Sequence, residues 1–481
     1  MAGLRIRLDL EIVREVIRVS LPLMLGMGGN LVMMLADRIS LSHYSRDTLQ
    51  ASGPAVFTAG TLVMVITGTV GITRSYVAQA HGRKDPNAAL EEGAYGLLMA
   101  VLLAVILLAA TPLLAWVPRL SGQPSGITGL ESQFLMLSTS FGAVMALNMA
   151  LSSYFNGAAR TRIPMTVGLI GQAVGILAIP SLVFGLYGLP RLGMRGSAFG
   201  TLAAVSVMFV GYVICLPKGF FAGFVRLIGH GMRANAGELW QRLRKGGPSG
   251  GAGGLDELGN TSFVWLAGVL GPVGLAANNI AVSLNYVAVI PPLGLALGCE
   301  VLCGSALGTG RFDRVWHIIR ATLSIEAAYV GLIAFFQIVT PRLLLAPFGL
   351  GHVDAAAVGA AVDTSRMLWT YAVAFMLSIV ATAVLDCFGL SRFGFLTRVV
   401  VMWGLSVPSI CLIALTHRGD AGVLPLIWTV YSAYEAVIAA VCYWRIRRAV
   451  LGKENVLVKA PVGEAVATLG VTMAIPAIEE I

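Results

Sequence analysis

The sequence predicts an all-α polytopic membrane protein with about twelve transmembrane helices, divided into two six-helix halves. Three observations carry this reading. Of the 481 residues, 57% are apolar and only 12% charged, whereas a soluble domain is about 25% charged. So few polar side chains cannot cover a water-facing surface. The apolar residues also gather in runs close to the ~20 needed to cross a bilayer. Finally, a short polar motif recurs six runs apart.

The N-terminal stretch mixes Arg5, Arg7, Arg14 and Arg18 with Asp9, Glu11 and Glu15, and no small-residue cleavage site follows. It does not read as a cleaved signal. Spans are expected near 17–41, 53–75, 93–117, 132–155, 164–187 and 196–217, then near 255–272, 276–303, 319–341, 364–388, 394–416 and 422–444. Charges interrupt the runs 17–41 and 255–272. The longest internal polar stretch lies between the sixth and seventh spans. Its Glu238, Trp240, Arg242, Arg244 and Lys245 read as a basic amphipathic helix on the inner leaflet. It ends in a flexible run from Gly246 to Gly251. This divides the chain into an N-lobe (1–217), a basic linker (218–250), a C-lobe (251–448) and a polar tail (449–481).

Basic residues set the orientation. If the N-terminus is cytoplasmic, the outer loops hold only Arg46, Arg119, Arg191, Arg195, Arg342, Arg366 and Arg418. Arg38 and Arg74 lie near or inside spans, and the remaining Lys and Arg, Arg398 among them, fall on the inner side. Both termini are then cytoplasmic, and the expected location is the plasma (inner) membrane. The net charge of +9 follows from this asymmetry and calls for no nucleic acid. The six cysteines sit almost entirely in apolar runs and read as packing residues, with no disulfide framework or zinc spacing.

The recurring motif joins the halves. Tyr76-Val77-Ala78-Gln79-Ala80-His81-Gly82-Arg83-Lys84-Asp85 follows the second span, and Leu302-Cys303-Gly304-Ser305-Ala306-Leu307-Gly308-Thr309-Gly310-Arg311-Phe312-Asp313 follows the eighth. Six spans put both on one side, as a parallel repeat requires.

Several stretches resemble the multidrug and toxic compound extrusion (MATE) transporters. They are Leu21-Pro22-Leu23 with Leu35-Ala36-Asp37-Arg38-Ile39, Val77-Ala78-Gln79-Ala80-His81-Gly82, and Phe155-Asn156-Gly157-Ala158-Ala159-Arg160-Thr161-Arg162-Ile163-Pro164. Further ones are Phe184-Gly185-Leu186-Tyr187-Gly188-Leu189-Pro190 with Leu192 to Ala198, and Pro292-Leu293-Gly294-Leu295 with Ala306 to Gly310. Their order and spacing, more than any one motif, make the match. The resemblance implies two six-helix bundles facing each other across a central cleft. It implies export of small organic compounds, cationic or amphipathic, driven by inward flow of H+ or Na+. It calls for no cofactor beyond that ion, and a monomer in the bilayer is expected.

A carboxylate in mid-span costs ~2.5–3.5 kcal/mol on insertion scales, so each one needs a partner or a task. Asp37 matches the family's helix-one aspartate, implicated in cation coupling, and could carry a proton or ligate Na+. Asn148 and Gln172 could hydrogen-bond in the same N-lobe cavity, with hydrogen bonding that holds neighbouring helices together as the rival role. Helix five reads Gly175, Ile179 and Pro180 where many members carry amides or an acid. Asp256 and Glu257 open the seventh span, where relatives often carry a glutamate. They are candidates for cation coupling or recognition, with a helix N-terminal cap as the rival role. Asn260, Asn278 and Asn279 could share that C-lobe site. Arg74 and Glu300 occupy similar places in the two repeats, and the expectation is that they pair across the lobes as a gate. Glu326 and Glu435 read as structural.

Other classes fare worse. A lipid-linked oligosaccharide flippase of the wider superfamily would share the helix plan, but its cleft usually carries several basic residues, and here only Arg74 and Arg38 could serve. A membrane transferase would need clustered catalytic groups. No HExxH and no Gly-rich nucleotide loop with its lysine appears, so neither metalloprotease chemistry nor ATP drive is indicated, and an enzyme is not expected.

Overall fold

The computed structural model describes residues 10–44, 46–114, 116, 125–229, 232–345, 355–454 and 456. The chain is helical almost throughout. In the first half run α1 (Leu10–Tyr44), α2 (Arg46–Gly71), α3 (Thr73–Gly82), α4 (Pro86–Leu114), α5 (Ser125–Gly157), α6 (Arg162–Phe184) and α7 (Met194–Cys215). Two helices connect the halves, α8 (Phe220–Gly229) and α9 (Met232–Val269). The second half holds α10 (Gly271–Gly308), α11 (Phe312–Val339), the short α12 (Pro341–Leu345), α13 (Ala355–Phe388), α14 (Ser391–Arg398), a π-helical segment Val399–Ser406, α15 (Val407–Thr416) and α16 (Leu424–Leu451).

Among the described residues, 11 spans are long and apolar enough to cross a membrane. Three are composite: α2 continues into α3, α14 runs through the π-helical segment into α15, and a 3-10 turn at Ala421–Val423 leads into α16. α9 has the length, at 38 residues, but its glycines and charges make it too polar to be counted with them. Their outward faces are apolar: Leu177, Ile214, Val400 and Leu412 are all more than half exposed, as lipid-facing residues must be.

Each half has its own core. Val77, Met99, Leu151, Phe155 and Phe220 centre the first, and Leu295, Leu368, Val384, Phe388 and Ile438 the second. The start of α1 crosses over, since Val16 and Val19 pack into the second core.

Several helix ends in the two halves close alike. α3, α5, α10, α13 and α16 each end with a left-handed residue (Lys84, Ala159, Gly310, Gly389, Lys453). The next residue's N–H then reaches back over the last turn: Asp85 to Ala80 O, Arg160 to Phe155 O, Arg311 to Ala306 O, Leu390 to Leu385 O, Glu454 to Ala449 O, at 2.9–3.1 Å. This Schellman closure satisfies carbonyls that the helix leaves free. Glycine adopts the conformation readily at 310 and 389, whereas Lys84 and Ala159 carry a Cβ into it.

The link between the halves differs from the sequence expectation. The run from Gly246 to Gly251 is not a flexible connector but lies inside α9, Pro248 included. Its glycines allow close packing. A Cβ at Gly246 would collide with the Thr69 carbonyl of α2, one at Gly250 with the Val65 carbonyl, and one at Gly254 with the Val65 side chain. Glycine at every fourth position makes a groove along one face of α9, and α2 fills it. Close backbone approach offsets the poor helix propensity of glycine. Arg242 is not on an open polar face of this helix either. It is buried, donates two bonds to Glu92 of α4 at 2.8 and 2.9 Å, and sits 4.0 Å over the Tyr95 ring. Trp240, on the same stretch, is exposed.

Candidate functional site

The tightest join between the halves lies where α3 meets α10. Arg74 Nε donates to Glu300 Oε2 at 2.7 Å, and the Ser75 hydroxyl donates to Glu300 Oε1 at 2.7 Å. Both charged side chains are buried, at 8% and 2% exposure. The Cys387 thiol donates to the Glu300 carbonyl at 3.0 Å, and Gln79 Nε2 donates to the Cys387 carbonyl at 2.7 Å. One turn further on, the two repeats interlock through their small residues. A Cβ at Gly82 would strike the Ser305 carbonyl, and one at Gly308 the Gln79 carbonyl. Exchanging Gly82 for Gly308 and Gln79 for Ser305 reproduces the contact, as a two-fold axis between parallel repeats requires. α1 lies against the same helix, with Met24 over Gly294 and Ser20 over Gly298.

In the N-lobe, α1 carries Asp37 next to α7. The Ser197 hydroxyl donates to Asp37 Oδ1 at 2.5 Å. Asn148 and Gln172 do not join it. Gln172 Nε2 donates to the Gly26 carbonyl at 2.9 Å, ~16 Å along α1 from Asp37 by helical rise. Asn148 Nδ2 donates to the Val205 carbonyl of α7 at 2.8 Å. Each amide thus ties two helices together, and the Oδ1 of Asn148 and Oε1 of Gln172 are buried without a partner.

In the C-lobe, Asp256 and Glu257 diverge, since neighbours on a helix point about 100° apart. Glu257 points at Gly60 of α2, across the junction between the lobes, with 3.6 Å between its Oε1 and a Cβ built there. Asp256 turns into the lobe, where Arg398 Nη1 donates to its Oδ2 at 2.7 Å. The same nitrogen lies 3.8 Å from Glu435 Oε1. Glu435 in turn accepts from the Tyr434 hydroxyl at 2.9 Å and from Ser378. Phe263, Tyr371, Trp428 and Tyr431 pack ring to ring beside this cluster, with centroids 5.1–5.9 Å apart. Asn278 is buried with both amide atoms unpartnered, and Asn279 is exposed. The Asn260 and Arg38 side chains lie outside what the structure describes.

One member of the C-lobe cluster escaped the sequence reading, whereas Glu435 reads there as structural. Arg398 is not an inner-loop cation. It is 4% exposed, because two carboxylates hold it inside. Glu435 belongs to the same cluster. Arg398 lay inside the apolar run 394–416, and that position was the available signal. Among the described residues, no group of three or more His, Cys, Asp or Glu is placed to hold a metal.

The MatE sequence profile matches residues 22–180 and 255–412, well over half the chain and one stretch in each lobe. The chain belongs to the MatE family. A probable multidrug resistance protein NorM of Pseudomonas aeruginosa is 26% identical over 425 residues, covering 85% of each chain. The multidrug resistance protein NorM of Burkholderia vietnamiensis is 26% identical over 456 residues, 92% of this chain and 95% of its own. Solved structures share the fold. A Vibrio cholerae MATE transporter superposes with a TM-score of 0.79 at 16% identity, covering 92% of this chain and 98% of that one. An outward-facing multidrug resistance MATE transporter superposes at 0.78 and 17% identity, covering 92% and 96%. This MatE chain is therefore an all-α multi-pass membrane protein of two helical halves, with 11 spans among its described residues.

Proposed function

We propose that this MatE protein exports small cationic or amphipathic organic compounds by alternating access, in exchange for inward H+ or Na+, in the plasma (inner) membrane with both termini cytoplasmic. The buried Arg74–Glu300 pair carries the reading. It ties the lobes together at the end where the basic loops lie, so the conformation described is sealed on the proposed cytoplasmic side. Breaking the pair exposes that side and requires the two lobes to rock apart.

Asp37 is the proposed coupling group. It stands alone among the N-lobe candidates as an acid, and the Ser197 hydroxyl beside it adds a second oxygen for Na+ or a partner for the charged state after H+ loss. Glu257, facing α2 between the lobes, is the proposed recognition point for a cationic substrate. A flippase would need free basic groups in the cleft, and Glu300 already neutralises Arg74.

The test is reconstitution in vesicles with a fluorescent organic cation, imposing pH and sodium gradients separately. Accumulation should follow one of the two gradients, and Asp37→Asn should abolish that response. Transport indifferent to both gradients overturns the proposal, and an unaltered Asp37→Asn variant removes Asp37 from the coupling role.

A further inference from the structure

The C-lobe cluster has the chemistry of a cation site and already contains a cation. Asp256, Glu435, Ser378 and Tyr434 turn oxygens toward one region, and hard alkali and alkaline-earth cations take oxygen ligands. Two carboxylates brought this close repel unless a positive charge lies between them. Arg398 supplies it, with one nitrogen 2.7 Å from Asp256 and 3.8 Å from Glu435. The cluster is sealed unevenly. The side chains of Arg398 and Glu435 are 5% and 1% exposed, while that of Asp256 is 34% exposed. Asp256 is thus the least enclosed member, although its Oδ1 is a buried oxygen with no partner. Arg398 is the last residue of α14, where the helix widens into the π-helical segment Val399–Ser406. Such π-turns re-aim side chains and recur at functional sites.

We infer that Arg398 is a built-in cation that fills the carboxylate site of the C-lobe, so that Asp256 and Glu435 bind no free alkali cation and residue 398 sets the ion specificity of this lobe. Asp256 is then not a coupling group, and coupling falls to Asp37. That consequence rests on the transport proposal above. The binding chemistry does not.

The experiment is equilibrium binding of radiolabelled Na+ to the purified full-length protein. Arg398→Met removes the charge while keeping a long apolar side chain. It should gain a sodium site at least about tenfold tighter than any Asp256-dependent binding in the wild type, a decade being ~1.4 kcal/mol. Arg398→Met with Asp256→Asn should lose that site, and Arg398→Lys should behave as the wild type. Asp256→Asn alone should leave sodium binding unchanged, which tests the idea even if Arg398→Met fails to fold. The inference is overturned if folded Arg398→Met binds no more sodium than the wild type, or if Asp256→Asn reduces wild-type sodium binding. Parallel vesicle assays keep the two proposals apart. Gradient-driven wild-type transport without a new site in Arg398→Met sinks only this inference, whereas wild-type transport blind to both gradients sinks only the antiport reading.

Discussion

Glu300 accepts from Arg74 and Ser75, both from the opposite lobe, and the two donors are not equivalent. Ser75→Ala removes one hydrogen bond to a charged group and should cost ~1.5–3 kcal/mol. Arg74→Ala leaves a buried carboxylate without its counter-ion and should cost ~3–5 kcal/mol. In the purified protein, Arg74→Ala should therefore lower the unfolding temperature more than Ser75→Ala. Reversing both charges, Arg74→Glu with Glu300→Arg, should restore transport above either single variant if the pair acts as a gate. A double reversal no better than the singles removes the gate. The two partners were legible in the sequence because each stands a few residues before the same repeated loop. The partner of Asp256 was not. Arg398 lies 142 residues away, and no local pattern connects a helix start to a residue inside a later span. For Gln172 and Asn148 residue type left two roles open, because an amide suits either, and the structure shows both tying helices together apart from Asp37.

At the scale of the element, the helix ends show how a repeat keeps its geometry while its residues change. The closures at 84 and 159 are built without glycine, those at 310 and 389 with it. A left-handed residue with a Cβ costs ~1–2 kcal/mol, so Ala159→Gly should stabilise the protein by up to ~1 kcal/mol and raise its unfolding temperature. No change, or a fall, would mean that contacts of the Ala159 methyl outweigh the backbone term. α9 bears on the opposite case, in which glycine is required. Gly250 has no room for a side chain against Val65 and Thr69 of α2, and Gly68 of α2 leaves only 2.7 Å between a built Cβ and the Gly250 Cα. Gly250→Val should force α9 from α2 while each lobe keeps its own core. Spin labels placed across the two helices would read this as a longer distance, and an unchanged distance would show that α2 can yield. Composition marked this segment as loose, since glycine and proline disfavour isolated helices. Tertiary packing overrides that preference, because the glycine face of α9 has a specific partner.

For the whole molecule, the join between the lobes is a set of close approaches in register along α3 and α10. Gly304 and Ala78 face each other there, with a Cβ at 304 only 2.7 Å from the Ala78 Cβ. Cysteines at both positions are close enough for a disulfide after a small backbone shift. Oxidised Ala78→Cys/Gly304→Cys protein should be held in the described conformation and stop transporting, and a reductant should restore it. Transport surviving full cross-linking would show that this join need not open. The membrane class, the near-dozen spans, the parallel repeat and the family likeness were readable from the chain alone. Each rests on composition, run length or local order, and the bilayer imposes these on every segment separately. The Arg74–Glu300 pair was expected and is present, but which other charges meet emerged only on folding, which set Arg398 between Asp256 and Glu435 and a glycine-rich stretch against α2. Burial in a low-dielectric interior forces ionised groups to find partners, and those partners stand on helices far apart in the chain.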